Sequence, residues 1–505
     1  STPIAPDQSQ GAEKPDLPAG SDPVLPAATP SEPSDAGEAE PEPPTAEEVL
    51  RSVRYSSASR RLVVFDRRTG RKLWEREARY GFRHNSIVVG AGRLFLVDGL
   101  SRAKQETLKR RGVDLSDYQP RLLALDVRGG DEIWSASEDV FGTFLNFSEE
   151  HGVLLQAGSP YRDRASDESD TGMVAYRVED GTVLWKNLDL KYAGPSMLHH
   201  DTIITQGPAY SLLTGEPKLR EHPLSGEPLA WSFTRNYGCN TAVASEHLLT
   251  FRSAAAGYYD LAGDGGTGNL GGFKSSCTSN LIVAGGLLNA PEYTRTCECR
   301  YQNQTSLALV HDPAAETWTF NALAWDGKPV RQVGINFGAP GDRRTEDGTL
   351  WMEYPSVGGP SPDLPVELEV DAPKYFRHHS SLIHASPESG GLPWVVASGL
   401  EGAGRVTVTL TQEETPEPRK YTVCLHFAEV DNKEPGQRVF AVRLQGNEVL
   451  AKFDVAAQAG PRTALVKEFK GVEVADKLEL VLAADPAAES AAPLLSGLEI
   501  VAEGW

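Results

Sequence analysis

A phrase with a turn glycine and a closing tryptophan recurs along the first two-thirds of this chain of 505 residues. Clear copies end at Trp74, Trp134 and Trp185, and a degenerate copy ends at Trp231. The spacings are 60, 51 and 46 residues, and Trp318 follows after about two further repeats. Periods of roughly 40–50 residues are typical of β-propellers or similar arrays. We therefore predict repeated β-sheet units.

Each copy has the pattern of a β-hairpin. In the first copy an alternating strand ends at Asp66, Gly70 supplies the positive φ of the turn, and the next strand ends at Trp74. A tryptophan at a fixed place in each unit suits packing between neighbouring sheets, because its ring buries a large flat surface.

The copies at 62–74, 121–134 and 173–185 resemble the PQQ-type (quinoprotein-like) propeller repeat. The resemblance covers about 52–320 and implies an all-β fold, with a β-propeller over 51–320. The later stretch 235–306 resembles the terminal blades of large propeller proteins from planctomycete-type bacteria. We count about five to six blade units, whereas such proteins usually have seven or eight. Either the ring is small, or a protein partner or an upstream domain completes it.

The PQQ resemblance does not by itself imply the quinone cofactor. The quinone enzymes use a vicinal Cys-Cys pair, and the chain has none, so no cofactor is expected. Polar residues of the later blades are candidates for lining the axial channel; alternatively they satisfy buried backbone groups. These candidates are Arg235, Tyr237, Asn240, Arg252, Asp260, Arg295, Gln302 and Asn303.

Four of the five cysteines cluster in the later blades, at Cys239, Cys277, Cys297 and Cys299. The cluster favours two disulfides and an oxidising compartment; reduced thiols or a zinc site are the alternatives. Cys424 lies in an alternating strand and is expected to be a small buried hydrophobe.

Two short stretches carry possible metal ligands, although we assign no metal. Oxygen ligands and glycines at 260–269 allow a calcium ion, but the spacing favours a plain turn. His199 and His200 could form a zinc pair, or be structural residues at a strand end. The pair His378 and His379 is treated in the same way.

After a bridge at 321–330, three phrases of a second domain resemble the malectin domain over 331–505. They are Val333 to Gly338, the Phe427-Ala428-Glu429 strand, and the hairpin from Arg438 to Val449. The resemblance implies a carbohydrate-binding β-sandwich. Gln445-Gly446-Asn447 predicts a hairpin turn, and the strand from Leu494 to Val501 is expected to close a sandwich edge.

Malectin binds a glucose disaccharide through loop aromatics and an Asp, and aromatic rings stack on the apolar faces of sugars. The candidate aromatics here are Trp351, Tyr354, Tyr375 and Phe376. The position of the family's Asp falls near Ala491 and Ala492, so that ligand is expected to be lost. A sandwich kept for adhesion or as a spacer is the alternative.

The net charge of −21 argues against nucleic-acid binding. Residues 1–50 hold 11 Pro and 11 Asp or Glu, one Lys and no aromatic residue, which predicts a disordered acidic linker. No apolar run reaches the roughly 18 residues of a membrane span.

These features favour a non-catalytic scaffold exported to the periplasm or exterior of a bacterium, with a sandwich that contacts glycans. The rivals are an oxidoreductase with its cofactor in the propeller channel, and a dedicated lectin.

Overall fold

The computed structural model describes residues 58–158, 171–238, 240–273, 281–291, 306–370, 372–385, 390–488 and 492–505. Over these residues the chain is nearly all β, as predicted. The helices are short: α1 (Arg102–Arg110), α2 (Pro393–Val396) and α3 (Val455–Ala459), with single 3-10 turns at His84–Ser86 and Ser380–Leu382. The predicted acidic linker 1–50 lies outside the described residues.

The described strands before residue 320 form five blade sheets and two hairpins, and successive strands within each are antiparallel. The first hairpin joins the sheet of blade 1 through the pair Phe82 and Asp98. This hairpin is β1 (Ala58–Phe65) and β2 (Lys72–Arg83). Blade 1 is β3 (Val88–Gly90), β4 (Arg93–Asp98), β5 (Arg121–Asp126) and β6 (Glu132–Ala136). Blade 2 is β7 (Phe144–Ser148), β8 (Val153–Ala157), β9 (Thr171–Arg177) and β10 (Val183–Lys191).

The later blades are shorter. Blade 3 is β11 (Met197–His199), β12 (Thr202–Ile204) and β13 (Ala209–Ser211), and the hairpin β14 (Leu219–Glu221) and β15 (Pro228–Ala230) follows it. Blade 4 is β16 (Val243–Ala244), β17 (Leu248–Ser253), β18 (Ala255–Asp260) and β19 (Gly266–Asn269). Blade 5 is β20 (Ile282–Ala284), β21 (Leu287–Ala290) and β22 (Leu307–Leu309). Among the described strands, no pairing closes these sheets into a ring.

The first strands of blades 1 to 4, namely β3, β7, β11 and β16, pack against one another in series. Because the strands of each blade run up and down, the turns that follow these first strands all lie on one face of the array. We call this set of turns the axial rim: 149–152 in blade 2, 200–201 in blade 3 and 245–247 in blade 4. The loops that lead into the next blade lie on the opposite face.

The repeated tryptophans hold neighbouring blades together. The indole Nε1 groups of Trp74, Trp134 and Trp185 donate to the backbone oxygens of Val127, Val178 and Leu212, at 3.1, 2.8 and 2.8 Å. Each ring covers the turn glycine of the following unit: Gly130, Gly181 and Gly215, all at positive φ. A Cβ atom at any of these glycines would lie 2.7 Å from the ring. The predicted role in packing between sheets is confirmed.

The first turn also follows the prediction. The Asp66 carboxylate accepts from the backbone N–H of Arg68 at 3.1 Å and of Thr69 at 2.8 Å, while Gly70 has a φ of 69°. The degenerate copy differs, because Trp231 packs edge-on against Tyr259 at 5.6 Å.

Unlike the earlier tryptophans, Trp318 does not dock on a following blade, although it lies about two repeats after Trp231 in the sequence. Its ring lies 5.9 Å from Trp394 of α2 in the second domain. It therefore belongs to the contact between the two domains.

After residue 330 the chain forms a β-sandwich of two large sheets and a small third sheet. The strands are β24 (Gln332–Phe337), β25 (Arg343–Arg344), β26 (Leu350–Tyr354), β27 (Val366–Glu369), β28 (Lys374–Arg377), β29 (Ser398–Glu401), β30 (Arg405–Thr409), β31 (Arg419–Phe427), β32 (Phe440–Leu444), β33 (Asn447–Phe453), β34 (Leu465–Val474), β35 (Lys477–Ala484), β36 (Leu494–Leu495) and β37 (Gly497–Ala502). One sheet has the order β25-β26-β24-β37-β31-β34, the second β27-β30-β35-β32-β33, and the third β28-β29-β36. One large apolar core lies between the two large sheets.

The C-terminal strand differs from its expected place. The stretch from Leu494 to Val501 divides at Ser496 into β36 and β37, and β37 lies between β24 and β31 rather than at an edge. The predicted turn at Gln445 and Gly446 is confirmed, with positive φ at both residues. Cys424 is half-buried on β31 rather than fully enclosed, and burial raises the pKa of its thiol to about 12.

The blades and the sandwich share a polar and apolar junction. Strand β23 (Thr319–Phe320) adds to the outer edge of blade 4 immediately before the chain enters the sandwich. The turn of the β14–β15 hairpin places Leu224, fully buried, in the sandwich core cluster. Backbone N–H of Arg331 donates to Leu224 O at 2.6 Å, and Ser225 Oγ donates to Asp326 Oδ2 at 2.7 Å.

Candidate functional site

Four of the predicted channel residues meet at the end of blade 4 opposite the axial rim. Arg235 donates from Nη2 to Asn240 O at 2.7 Å, and Asn240 Oδ1 accepts from the backbone N–H of Arg252 at 2.9 Å. The Arg252 guanidinium lies 5.5 Å from the ring centroid of Tyr237, a side chain that is 62% exposed. Asn240 thus ties its own loop to Arg235 and to strand β17.

Asp260 lies at the other end of β18, away from that group. Its carboxylate accepts from the backbone N–H of Ala262 and Gly263 at 3.1 and 3.0 Å, which is the geometry of a plain turn. The neighbouring Asp264 carboxylate pairs with Arg220 at 2.9 Å and Arg344 at 3.4 Å. Calcium in this loop stays a prediction. Arg295, Gln302, Asn303 and the cysteines Cys239, Cys277, Cys297 and Cys299 lie outside the described residues.

The structure separates the four predicted carbohydrate-binding aromatics. Trp351 is only 1% exposed, and its ring lies 4.9 Å from His426 and above Gly334, where a Cβ atom would come within 2.2 Å. It is a core residue, so the prediction that it contacts sugar is wrong: the glycine opposite it on β24 leaves a slot that the indole fills.

Tyr354 and Tyr375 are half-buried and pack against the large core between the sheets. The Tyr354 hydroxyl donates to Val366 O at 3.2 Å and lines a cavity of about 210 Å³. Phe376, one residue after Tyr375 on β28, packs instead against a small apolar cluster that includes Val430. Alternation along β28 places Phe376 on the same face of the strand as Lys374.

A dense charge cluster borders that face, and we call it the Arg438 cluster. Nη2 of Arg438 donates to Glu401 Oε1 at 2.9 Å and to Asp431 Oδ2 at 3.0 Å. Its Nε lies 3.2 Å from Glu429 Oε2 as an ion pair without hydrogen-bond alignment. Lys374 Nζ contacts Glu401 Oε2 at 2.5 Å.

Burial differs sharply within the cluster. The side chains of Arg438 and Glu429 are 4% and 1% exposed, whereas those of Asp431 and Lys374 are 40% and 70% exposed. The cluster therefore has a fixed interior and an open side.

The carboxyl groups of Glu401 and Asp431 shift each other's pKa in opposite directions. Burial would raise the pKa of Glu401, but hydrogen bonds from Asp431, Lys374 and Arg438 lower it below its usual range. The hydrogen bond to Glu401, together with burial, raises the pKa of Asp431. Burial also raises the pKa of Glu429, against the opposing charge of Arg438. Three carboxyl groups and two cations leave an acidic, half-open site that can accept hydroxyl groups.

Two family profiles match the chain. Residues 408–484 match the malectin domain, and residues 31–206 match the outer membrane protein assembly factor BamB, which is a PQQ-type repeat family. The chain contains PQQ-like repeats and a malectin domain. No curated protein matches the chain.

Solved structures share parts of these folds at low overall similarity. BamB from Moraxella catarrhalis is 14% identical with a TM-score of 0.30, and the match covers 46% of this chain and 65% of that chain. The ANXUR2 extracellular domain from Arabidopsis thaliana is 15% identical with a TM-score of 0.25, covering 34% and 48%. A Bacteroides uniformis β-glucuronidase is 12% identical with a TM-score of 0.27, covering 52% and 28%. The chain thus spans between about a quarter and two thirds of these proteins.

The malectin match contains three members of the Arg438 cluster: Arg438 itself, Glu429 and Asp431. Two of them stood in the phrases that suggested malectin, Phe427-Ala428-Glu429 and the hairpin beginning at Arg438. Their ion pair, however, joins residues nine positions apart in a loop, which no strand period indicates. Lys374 and Glu401 lie outside the matched range and had no signal in the sequence.

Among the described residues, no helix has both the length and the hydrophobicity to cross a membrane. In the described ranges the longest helix, α1, has 9 residues.

Proposed function

We propose that this protein is a non-catalytic, extracytoplasmic interaction scaffold in which the PQQ-like blades and the malectin domain act as one rigid receptor. The junction is the observation that carries the proposal. Leu224 of a blade hairpin is fully buried in the core of the malectin domain, and Asn321 Nδ2 donates to the buried Asp342 at 3.2 Å. Modules joined by a buried core and buried polar contacts keep a fixed geometry, unlike domains on a flexible tether.

Aromatic and cationic contacts extend the junction. The Arg343 guanidinium lies 4.8 Å from the Trp394 ring centroid and 6.0 Å from that of Trp318. Arg343 and Trp394 belong to the malectin domain and Trp318 to the segment that leaves the blades. A partner that contacts both modules would meet a single preformed surface, which lowers the ordering cost of binding.

Native purification tests the scaffold. The full chain, tagged and isolated from its own source under non-denaturing conditions, should elute with a second polypeptide in fixed stoichiometry, identified by native mass spectrometry. As a control, the same tagged chain is washed with 2 M salt before elution. The wash removes contaminants that are held by charge alone, because surface ion pairs weaken with salt. A lone chain carrying the extra mass of a redox cofactor would contradict the scaffold and support the oxidoreductase.

The Arg438 cluster favours carbohydrate binding as a second function of the malectin domain. Phe376 supplies an apolar ring, and the exposed Asp431 and Lys374 supply groups that bond sugar hydroxyls on the same side of β28 and β29. Carboxylates accept paired hydroxyls in charge-assisted hydrogen bonds. This combination of an aromatic face with polar groups beside it is suited to a sugar ring.

Calorimetric titration with glucose disaccharides tests this function. Wild-type chain should bind at least one linkage isomer, and Asp431→Asn and Phe376→Ala should each weaken binding about tenfold or more. Glu448→Gln, an exposed carboxylate on β33 of the same domain, is the matched control and should bind as wild type. If the wild type and the three variants bound the sugar with equal affinity, the sugar would bind outside the Arg438 cluster.

A further inference from the structure

The axial rim gathers histidines and carboxylates from three successive blades. Four of the 11 histidines in the chain lie in or beside its three turns. They are His151 in blade 2, His199 and His200 in blade 3, and His247 in blade 4. Glu150 and Glu246 occupy the same turns of blades 2 and 4. The topology therefore brings together side chains that are 46 or more residues apart in sequence.

Three of these side chains converge on one point. A ring nitrogen of His199, a ring nitrogen of His200 and a carboxylate oxygen of Glu246 all lie within 4.8 Å of one another. The two imidazole rings are 4.7 Å apart between centroids and inclined at 72°. His200 Nε2 is 3.1 Å from Glu246 Oε1. This is the only such group of three metal-ligating side chains among the described residues.

The backbone fixes both histidines. His199 pairs with Thr202 at the end of the β11–β12 hairpin, and His200 is the first residue of the two-residue turn, with a φ of 50°. The Asp201 carboxylate beside them is held by Lys218 at 2.6 Å. The histidines are therefore presented by a tight, anchored turn rather than a long loop.

Glu150 of blade 2 completes the arrangement from the far side of His200. Its Oε2 lies 3.3 Å from His200 Nδ1, while Nε2 of the same ring faces Glu246. A carboxylate that holds Nδ1–H of a histidine leaves Nε2 as a lone-pair donor, and this is the usual outer partner of a zinc-bound imidazole. Two neutral imidazoles, Glu246 and Glu150 would together neutralise one divalent cation.

We propose that His199, His200 and Glu246 bind a first-row divalent cation, with zinc as the best match, and that the ion links blades 3 and 4. Two histidines and a glutamate form a ligand set found in zinc sites with three protein ligands and an open fourth position. In sites of this kind a water molecule or substrate fills that position. Glu150 orients His200 and so couples blade 2 to the same ion.

Metal binding is tested on the full chain after removal of metal with a chelator. Calorimetry with zinc should give one site that is lost in the His199→Ala/His200→Ala variant. Glu246→Gln should weaken binding strongly, and Glu150→Gln should weaken it about 10- to 100-fold, as loss of an outer-shell carboxylate does. The His378→Ala/His379→Ala variant removes the other pair of adjacent histidines and should bind zinc as wild type.

Cobalt(II) distinguishes this site from a cysteine site. Cobalt bound at the rim should give visible bands without the intense near-ultraviolet thiolate charge-transfer band, because its ligands are nitrogen and oxygen. The thermal midpoint should rise on addition of zinc in the wild type, since a ligand that binds only the folded state stabilises it, and should not move in the His199→Ala/His200→Ala variant.

Failure to bind zinc in the wild type would overturn the proposal. So would a thiolate cobalt band that survives the histidine substitutions. The proposal is independent of sugar binding, because the rim lies on the blades and the Arg438 cluster in the malectin domain.

Discussion

The indole of Trp134 donates a 2.8 Å hydrogen bond to Val178 O in the following blade and covers the turn glycine Gly181. Trp74 and Trp185 repeat the same contact on their own neighbours. One side chain per repeat thus supplies both buried apolar area and a directed hydrogen bond between units. In repeat proteins such contacts between neighbours set a large part of the stability.

Trp134→Ala should lower the free energy of unfolding by about 3–5 kcal/mol, the range for large core truncations. Trp134→Phe should lower the free energy of unfolding less, because part of the ring contact survives. The hydrogen bond to Val178 O, worth about 1 kcal/mol, is still lost. Denaturant titration followed by circular dichroism measures both. Trp505→Ala, on a ring that is 37% exposed, is the control. Equal losses for Trp134→Ala and Trp505→Ala would contradict the docking role.

Arg438→Met should destabilise the malectin domain by about 3–5 kcal/mol at neutral pH, because Glu429 would be left as a buried charge without a cation and Glu401 would keep only Lys374. Arg443→Met, whose side chain is 52% exposed and 3.9 Å from Glu448, should cost less than about 1 kcal/mol. The loss for Arg438→Met should shrink as pH falls, since burial already raises the pKa of Glu429 and its protonation removes the unpaired charge. A loss that grows on acidification would contradict this account.

Leu224→Ala should cost about 2–5 kcal/mol, because it opens a cavity in the core of the malectin domain from the blade side. Leu213→Ala, between β13 and β14, is the matched control; that side chain is 49% exposed, and its loss should cost about 0.5 kcal/mol or less. If the two modules separate in the Leu224→Ala variant, limited proteolysis should cleave the chain at 321–330 in that variant alone. Cleavage of both variants at equal rates would contradict a fixed junction.

The junction should also respond to pH through Asp342. Burial raises the pKa of this carboxyl from 3.8 to about 6, against hydrogen bonds from Ser361, Glu353 and Asn321. Because the folded pKa is the higher one, the contribution of Asp342 to stability is fully present below 3.8 and is lost as pH rises through about 6. The loss amounts to at most about 3 kcal/mol.

Asp342→Asn should therefore flatten the dependence of the unfolding free energy on pH over that window, as measured by denaturant midpoints at a series of pH values. Asp363→Asn is the control, since the Asp363 carboxylate accepts a 2.6 Å hydrogen bond from the backbone N–H of Trp325 nearby. An unchanged pH profile for Asp342→Asn would contradict the assignment.

Much of the fold follows from local signals. The turn at Gly70 and the role of Trp74, Trp134 and Trp185 could be predicted, because a positive φ and a hairpin period are set by residues within one repeat. The turn at Gln445 and Gly446 could be predicted for the same reason. The placement of Leu494 to Val501 could not, because alternation identifies a strand but not its neighbours in the sheet.

The candidate sites depended on contacts between distant residues. The sequence alone does not distinguish the four candidate aromatic residues Trp351, Tyr354, Tyr375 and Phe376. In the structure, Gly334 leaves room in the interior for the Trp351 ring. Alternation along β28 places Phe376, but not Tyr375, on the face of the strand that carries Lys374 of the Arg438 cluster. Likewise, Arg235 and Asn240 meet Arg252 because their loop lies beside the end of β17, whereas Asp260 lies at the far end of β18. That these residues line an axial channel stays a prediction.

The sequence by itself determined the repeat, the hairpins and the two-domain, all-β architecture, since these rest on periodicity and turn chemistry over a few residues. The tertiary structure decided that Leu224 enters the malectin core, that Glu401 meets Arg438, and that His199 and His200 meet Glu246. The physical reason is that a sheet array places equivalent turns of successive blades side by side, so residues some 46 positions apart become neighbours, and no local pattern encodes which side chains then face one another.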